Sequence, residues 1–260
     1  MMSSSQARLA LITGASRQAG IGAAIARELA CDGADIFITY YRPYDHETGQ
    51  SNDADEPRRL LDELRRIGRR ADGLELDLAD PQAPKQLFEH VEAMCGPVSI
   101  LVNNAAYSVR DGIENLSAGL MDKHYAINIR AMALLCAEFV RRYRTNVSSG
   151  VSGRIINLSS GQGLNPMPGE LAYAATKGAV EAFTRSLSAE VGGLGITVNA
   201  VDPGATDTGW ISSELKEELK AKSPMGRIGV PEDAARLIRF LASAEAGWVT
   251  GQIIRSRGGL

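Results

Sequence analysis

LALITGASRQAGIGAAIARELAC (Leu9–Cys31) joins three local preferences in one stretch. Leu9–Thr13 is a short apolar run of the kind that forms a buried strand. Thr13–Gly22 is glycine-rich, which permits a tight turn and lets backbone N–H groups approach a ligand closely. Gly22–Cys31 then has helical apolar spacing. A glycine cluster alone says little, because many turns contain one. Between a first strand and a first helix it points to a dinucleotide, with the pyrophosphate at the helix N-terminus.

The same alternation continues outward. Further strand-like runs are Asp35–Tyr40, Leu74–Asp77, Ile100–Asn103, Arg154–Leu158, Ile196–Val201 and Gln252–Ile254. Helical spacing recurs at Pro57–Ile67, Pro81–Met94, Met121–Tyr143 and Tyr173–Val191. Strand followed by helix, repeated, predicts an α/β fold: a Rossmann-type doubly wound parallel sheet of about seven strands, with helices on both faces. No linker or composition break divides residues 1–260, so one domain is expected. Residues 1–7 are expected to be disordered.

Three segments interrupt the alternation. Arg42–Pro57 is polar and acidic and reads as a mobile surface loop. Thr145–Gly153 is rich in Ser and Gly and reads as a flexible turn. Residues 205–227 carry a short amphipathic helix, SSELKEELKAK, after a strand end, and are a candidate substrate lid.

Composition narrows the function. A net charge of −3 gives no electrostatic reason to expect nucleic acid or an anionic membrane as partner. The arginines of FVRRYR (Phe139–Arg144) fit a solvated or subunit-facing helix surface better than an anion site. Cys31, Cys95 and Cys136 are scattered, and neither they nor His46, His90 and His124 have metal-ligand spacing, so neither a disulfide framework nor a metal site is expected. No stretch is long and apolar enough for a membrane span or a signal-peptide core, which leaves a cytoplasmic location as the expectation.

Tyr173 and Lys177 are four residues apart in an expected helix and so share one face. A phenol with a pKa of about 10 supplies little phenolate near neutrality, and an adjacent ammonium favours the ionised form. Such a pair is a plausible general acid or base. It also arises by chance, as a half-buried Tyr beside a surface Lys, so its meaning depends on the company it keeps.

That company resembles a family. TGASR followed by GIG, LDL at Leu76–Leu78, NNAA at Asn103–Ala106, Asn128, the pair Ser159–Ser160, YAATK at Tyr173–Lys177 and VDPG at Val201–Gly204 occur in the order seen in short-chain dehydrogenases/reductases. PEDAARLIRFLAS and VTGQII extend the resemblance over nearly the whole chain, and 3-oxoacyl-[acyl-carrier-protein] reductase-like members are the most similar branch. Two departures stand out. Gln18 and Ala19 lengthen the usual TGxxxGIG to TGxxxxxGIG, and Ala106 replaces the glycine of NNAG. Should position 106 need a positive φ, Ala106 would carry a steric cost that glycine avoids.

The resemblance implies a catalytic set of Asn128, Ser160, Tyr173 and Lys177. Ser160 lies thirteen positions before Tyr173, the family's separation, which favours it over Ser159. It further implies a nicotinamide dinucleotide held by Gly14, Ser16, Arg17, Gly20, Ile21 and Gly22 in the first turn, with Asn104, Ala105 and Ala106 beside them. Asp77 and Leu78 resemble the pair lining the adenine pocket, although a helix start and a core residue would account for them equally. Pro203, Gly204, Thr206 and Thr208 resemble the segment that holds the nicotinamide carboxamide, and Tyr173 and Lys177 would also contact the cofactor. The second strand ends in Thr39, Tyr40, Tyr41 and Arg42, with no acid until Asp45 to receive a ribose 2′-hydroxyl. With Arg17 resembling the basic residue that meets a 2′-phosphate, NADP(H) is preferred, and NAD(H) is the alternative.

In the implied reaction, Ser160 polarises a ketone oxygen, Tyr173 protonates it, Lys177 lowers the Tyr173 pKa, Asn128 supports the proton relay, and hydride comes from NADPH. A 3-oxoacyl-type ketone is the first expectation; an NAD-linked dehydrogenase of a secondary alcohol, sugar or polyol is the second. A catalytically silent NADP(H)-binding sensor is the alternative of another class. A nucleotide-sugar epimerase would carry a longer C-terminal region, and an enoyl reductase a wider Tyr-to-Lys gap. The substrate, a small carbonyl or alcohol, is expected against Gly161–Pro168, Tyr107–Arg110 and Thr208–Met225, with Gln162, Asn165, Met167, Trp210 and Met225 making the pocket mixed in polarity. Relatives pair through their two long helices, so a homodimer or homotetramer is expected.

Overall fold

Every residue of β1 (Leu9–Ile12), β4 (Ile100–Asn103), β5 (Gly153–Leu158) and β6 (Ile196–Asp202) is buried in the computed structural model, which describes residues 8–49, 51, 53–146 and 152–259. Apolar runs hidden on both faces are what a parallel sheet between helical layers demands. β2 (Asp35–Tyr40), β3 (Ala71–Glu75) and β7 (Ile253–Arg255) complete it, in the order β3-β2-β1-β4-β5-β6-β7 with all pairings parallel. The order reverses between β1 and β4, and their C-terminal ends open a crevice there.

One face is covered by α1 (Ile21–Cys31), α3 (Glu56–Arg66) and α9 (Pro231–Ala242), whose Ile25, Leu29, Leu60, Leu64, Ile238 and Leu241 join Ile12, Ile36, Ile38 and Val201 in one core. On the other face α4 (Ala83–Cys95), α6 (Met132–Asn146) and α7 (Leu171–Val191) contribute Leu87, Phe88, Leu135, Phe139 and Val180 to a second core with Leu11, Phe37, Leu101, Ile155 and Val198. Each such side chain contributes about 1.5–3 kcal/mol by leaving water. The doubly wound architecture is therefore the one expected from the alternation.

The differences lie between the cores. Arg42–Pro57 is not a loop throughout: α2 (Arg42–Glu47) occupies its start and α3 begins at Glu56. Pro43 and Pro57 each sit at the first turn of a helix, where a missing N–H costs nothing and the fixed φ suits helix initiation. The expected helix Met121–Tyr143 is α5 (Ala118–Tyr125), a π-helical turn (Ala126–Ala131) and α6 in succession. β3 runs from Ala71 to Glu75 instead of Leu74 to Asp77. α8 (Ser213–Lys222) is the amphipathic helix expected within 205–227. Residues 1–7 and the centre of the expected Thr145–Gly153 turn lie outside the described residues. Among the described residues, no helix is long and apolar enough to cross a membrane, and no group of three His, Cys, Asp or Glu side chains is placed to hold a metal ion.

Candidate active site

Tyr173 and Lys177 occupy the first two turns of α7, directly beyond the end of β5. Lys177 is 3% exposed, and its Nζ donates to the carbonyl of Leu158 at 2.7 Å. The same ammonium lies 5.4 Å from the centre of the Tyr173 ring. Burial lowers the Lys177 pKa from 10.5 to about 8. The Ser160 side chain beside the Tyr173 phenol favours the phenolate, but desolvation outweighs it and raises the Tyr173 pKa above 10.0. The expected lowering by Lys177 is thus not what the geometry produces. Lys177 is turned to the Leu158 carbonyl, and removal of the phenol from water dominates.

Ser160 and Ser159 are separated by their partners. Ser159 is buried, and its Oγ donates to Glu181 Oε1 at 2.9 Å, two turns along α7 from Tyr173. Gln162, expected to line the substrate pocket, donates to the same Glu181 oxygen at 2.8 Å and is drawn there. Ser160 alone keeps its hydroxyl against the phenol. Asn128 sits in the π-helical turn, a local widening often found at functional sites. Its side chain holds the backbone of Tyr107 through both groups, accepting from the N–H at 2.8 Å and donating to the C=O at 3.0 Å. Nδ2 also donates to Thr176 Oγ1 at 3.0 Å, and Thr176 Oγ1 donates to the Tyr173 carbonyl at 2.8 Å. Four residues spread over 50 positions thus form one connected cluster.

One supporting residue had no signal in the sequence. Glu170 precedes α7 without a side-chain cap. Asp111, from the segment after β4, takes that role: its carboxylate accepts from Leu171 N at 2.5 Å and Ala172 N at 2.9 Å. It is 4% exposed and neutralises the positive end of the helix that carries Tyr173. Asp111 lies sixty positions from Leu171, beyond the reach of any local capping pattern.

At the other end of the crevice, the first turn is closely fitted. Gly14 has φ +72°, and a Cβ there would stand 2.6 Å from Ala105 Cα. A Cβ on Gly22 would meet the Gly14 carbonyl at 2.7 Å. Asn104 Nδ2 donates to the carbonyls of Thr13 and Gly14, both at 2.8 Å, and the Ala105 N–H donates to Thr13 Oγ1. Among the described residues no side chain other than glycine has a positive φ, so Ala106 carries none of the steric cost considered above. Gly20 makes no side-chain cap, which leaves the first amides of α1 available to an anion.

The lengthened turn is pinned. Gln18 donates from its backbone and side chain to Glu56, and its carbonyl accepts from Arg27, which itself makes a two-pronged pair with Glu63 at 2.9 and 3.0 Å. A turn closed by Gly20 N to Arg17 O at 3.0 Å absorbs the two extra residues. Arg17 reaches inward, donating to the Thr208 carbonyl at 2.9 Å and lying 3.8 Å from Asp45. Arg42 is buried against Asp45 at 3.1 Å, where a surface position was equally open from the sequence. Tyr41 lies beside Asp77, whose carboxylate accepts from Ala79 N, and Leu78 is part of the second core. Thr206 and Thr208 are buried beyond β6, after Pro203 and Gly204. Ser16 and Ile21 are half-buried in the turn.

A family model described as Enoyl-(Acyl carrier protein) reductase matches residues 14–260. Uncharacterized oxidoreductase YjdA of Bacillus subtilis (strain 168) is 52% identical over 99% of this chain and 98% of that protein. The NADPH-dependent aldehyde reductase-like protein, chloroplastic, of Arabidopsis thaliana is 38% identical over 97% of this chain and 93% of its own length. Among solved structures, a blue fluorescent protein from a metagenomic library, in complex with NADPH, is 33% identical and superposes with a TM-score of 0.83 over 97% of each chain.

Proposed function

Because the chain belongs to the short-chain dehydrogenase/reductase family of oxidoreductases, we propose that it reduces a ketone or 3-oxoacyl-type carbonyl at the expense of NADPH, with Ser160, Tyr173, Lys177 and Asn128 as its working residues. The Ser160 hydroxyl and the Tyr173 phenol brought together beside Lys177 carry this reading. Ser160 would donate to the carbonyl oxygen and stabilise its developing charge. Tyr173 would give its proton to that oxygen. A phenol whose pKa is raised is fully protonated near neutrality, which suits proton donation in reduction better than proton removal in alcohol oxidation. Lys177, with a pKa of about 8, can restore the proton, and Asn128 keeps the Tyr107 backbone and the Thr176 hydroxyl in place around it. The four-residue Tyr173–Lys177 spacing favours carbonyl over enoyl chemistry.

A nicotinamide cofactor, when bound, supplies the hydride. The residues fit such a group: the first turn is closed to any side chain at Gly14 and Gly22, and the amides of Ile21 and Gly22 head α1 without a competing cap. Gly14, Ser16, Arg17, Gly20, Ile21 and Gly22 would hold its phosphates, Tyr41, Asp77, Leu78, Asn104, Ala105 and Ala106 its adenosine half, and Pro203, Gly204, Thr206, Thr208, Tyr173 and Lys177 its nicotinamide half. The inward-turned Arg17, with Arg42 beside it, supports NADPH over NADH. Residues 205–227 would close over the substrate as a lid. Calorimetric titration with each cofactor tests the preference, followed by a screen of ketones, aldehydes and 3-oxoacyl thioesters for NADPH consumption. Tighter NADH binding, or oxidation of alcohols alone, would reverse the proposal.

A further inference from the structure

α2 begins where β2 ends, and its Tyr44 reaches the segment that follows β4. There the Tyr44 hydroxyl donates to the Ser108 carbonyl and accepts from the Ser108 N–H, both at 3.1 Å. β2 and β4 lie on either side of β1 in the sheet. A bond from one side to the other therefore crosses the C-terminal end of β1, where the crevice opens and the first turn lies. The phenol stands within electrostatic reach of Arg17 in that turn and of Tyr173 beyond it. Burial raises the Tyr44 pKa above 10.0, so the hydroxyl keeps the proton it donates.

The two sides of this bond differ in firmness. On the β4 side, the Tyr107 ring meets Tyr44 at 5.5 Å and the fully buried His124 at 4.9 Å. Asn128 holds both backbone groups of Tyr107, and Asp111 fastens the same segment to α7. On the β2 side, α2 has six residues and buries only Arg42 and Asp45, neither of them apolar. Its root is the Arg42 N–H on Glu75 at 3.1 Å, with Asp45 3.8 Å from Arg17. Just past its end stands Gly49, with φ +66° and open space around the position of a Cβ. A helix this short is not stable by itself, and polar contacts can be exchanged for water at small net cost. The helices of the two cores, which bury leucines, lack that freedom.

We propose that α2 is a strap over the mouth of the crevice, clasped by Tyr44 on Ser108, and that a dinucleotide enters and leaves when the clasp opens. This rests on the reading of the crevice as a nicotinamide dinucleotide site. A dinucleotide held from Tyr41 and Asp77 to Pro203 and Thr208 follows the strand ends that α2 spans. The strap turns on its root at Arg42 and on Gly49, while the segment after β4 stays in place. Opening precedes entry and release alike, so the clasp governs both rates and leaves their ratio nearly untouched.

Stopped-flow mixing with NADPH and with NADH, followed by nucleotide fluorescence, gives association and release rates for the wild-type protein, Tyr44→Phe and Tyr44→Ala. Tyr44→Phe keeps the ring and loses the clasp, and is expected to speed both rates roughly tenfold, the worth of one or two hydrogen bonds. Tyr44→Ala, which also loses the contact with Tyr107, should speed them further. Kd should stay within about threefold throughout. Unchanged rates overturn the inference. So does faster release with unchanged association, which would make Tyr44 an ordinary contact of the bound nucleotide. If the wild-type protein binds neither dinucleotide, the reading of the crevice fails and the strap fails with it. If it binds one and all three proteins exchange it alike, the strap alone fails. Loss of the folded state in Tyr44→Phe, followed by circular dichroism, would also overturn the proposal, since Tyr44 would then be a prop of the fold.

Discussion

The two ends of the crevice are built by opposite means. The proposed catalytic cluster hangs from β5 and α7, and its central pair is fixed by one turn of one helix. The proposed cofactor end is assembled from five separate places: Arg17 and Gln18 in the first turn, Asp45 in α2, Glu56 at the start of α3, Asn104 after β4 and Thr208 beyond β6. Chemistry that must be positioned within a fraction of an ångström sits on rigid elements, while discrimination between related ligands sits on segments that can be rewired. A change at the first end should therefore cost rate, and a change at the second should cost affinity.

The hardest blow to that division is at the phenol. Tyr173→Phe should lower turnover by roughly 10²–10⁴-fold while calorimetric cofactor affinity stays within a factor of two, because only the proton transfer is removed. Turnover that survives would place the acid elsewhere.

Lys177 gives the next largest effect. Its folded pKa of about 8 lies below the unfolded value of 10.5, so the unfolded chain holds the extra proton between those two values. Stability should accordingly rise as pH climbs from about 8 to about 10.5, by up to about 3 kcal/mol, and be lowered by that amount below pH 8. Lys177→Met should lack that rise, which should therefore appear as the difference between the wild-type and variant pH profiles of denaturant unfolding. Parallel profiles would mean that the ammonium is better solvated than its 3% exposure implies.

Asp111→Ala probes whether the rigid end is rigid for the reason given. Losing two charge-assisted bonds at the head of α7 should cost about 1–3 kcal/mol of stability and lower kcat more than it raises KM. Asp111→Asn, which can still accept from one amide, should recover part of both losses. Smallest of all is Gln18→Ala at the rewirable end. With the side-chain bonds to the Glu56 carbonyl and to Arg27 removed and the backbone ones kept, the lengthened turn should lose about 1 kcal/mol of cofactor affinity, with kcat unchanged.

What the sequence showed follows from range. Apolar runs mark the buried strands because each must be hidden on both faces, and β1, β2, β4, β5 and β6 match their runs within a residue. β3 was harder because ADGLE, at the sheet edge, has a glycine and two acids and only one buried residue; its pairing with β2 makes it a strand. α2 was hidden in a polar stretch whose helix depends on Pro43 and on contacts with Glu75 and Ser108 from distant parts of the chain. Ser160 and Tyr173 were legible from spacing, whereas the fate of Ser159 depended on Glu181, twenty-two positions on. Asp45 was visible as an acid but not as a buried partner of two arginines, since burial of a charge is decided by tertiary packing.

The bond from Asp111 to the start of α7 also bears on how this scaffold can be redesigned. The segment following β4 borders the expected substrate pocket and would be a natural target for exchange between relatives of different specificity. Here it doubles as the fastening of the helix that carries Tyr173, the proposed proton donor. A graft that replaced it wholesale would alter ligand preference and unfasten Tyr173 together, and the resulting poor catalyst would be misjudged as a failed pocket. Libraries that vary Tyr107–Arg110 while keeping the carboxylate at 111 separate those two effects.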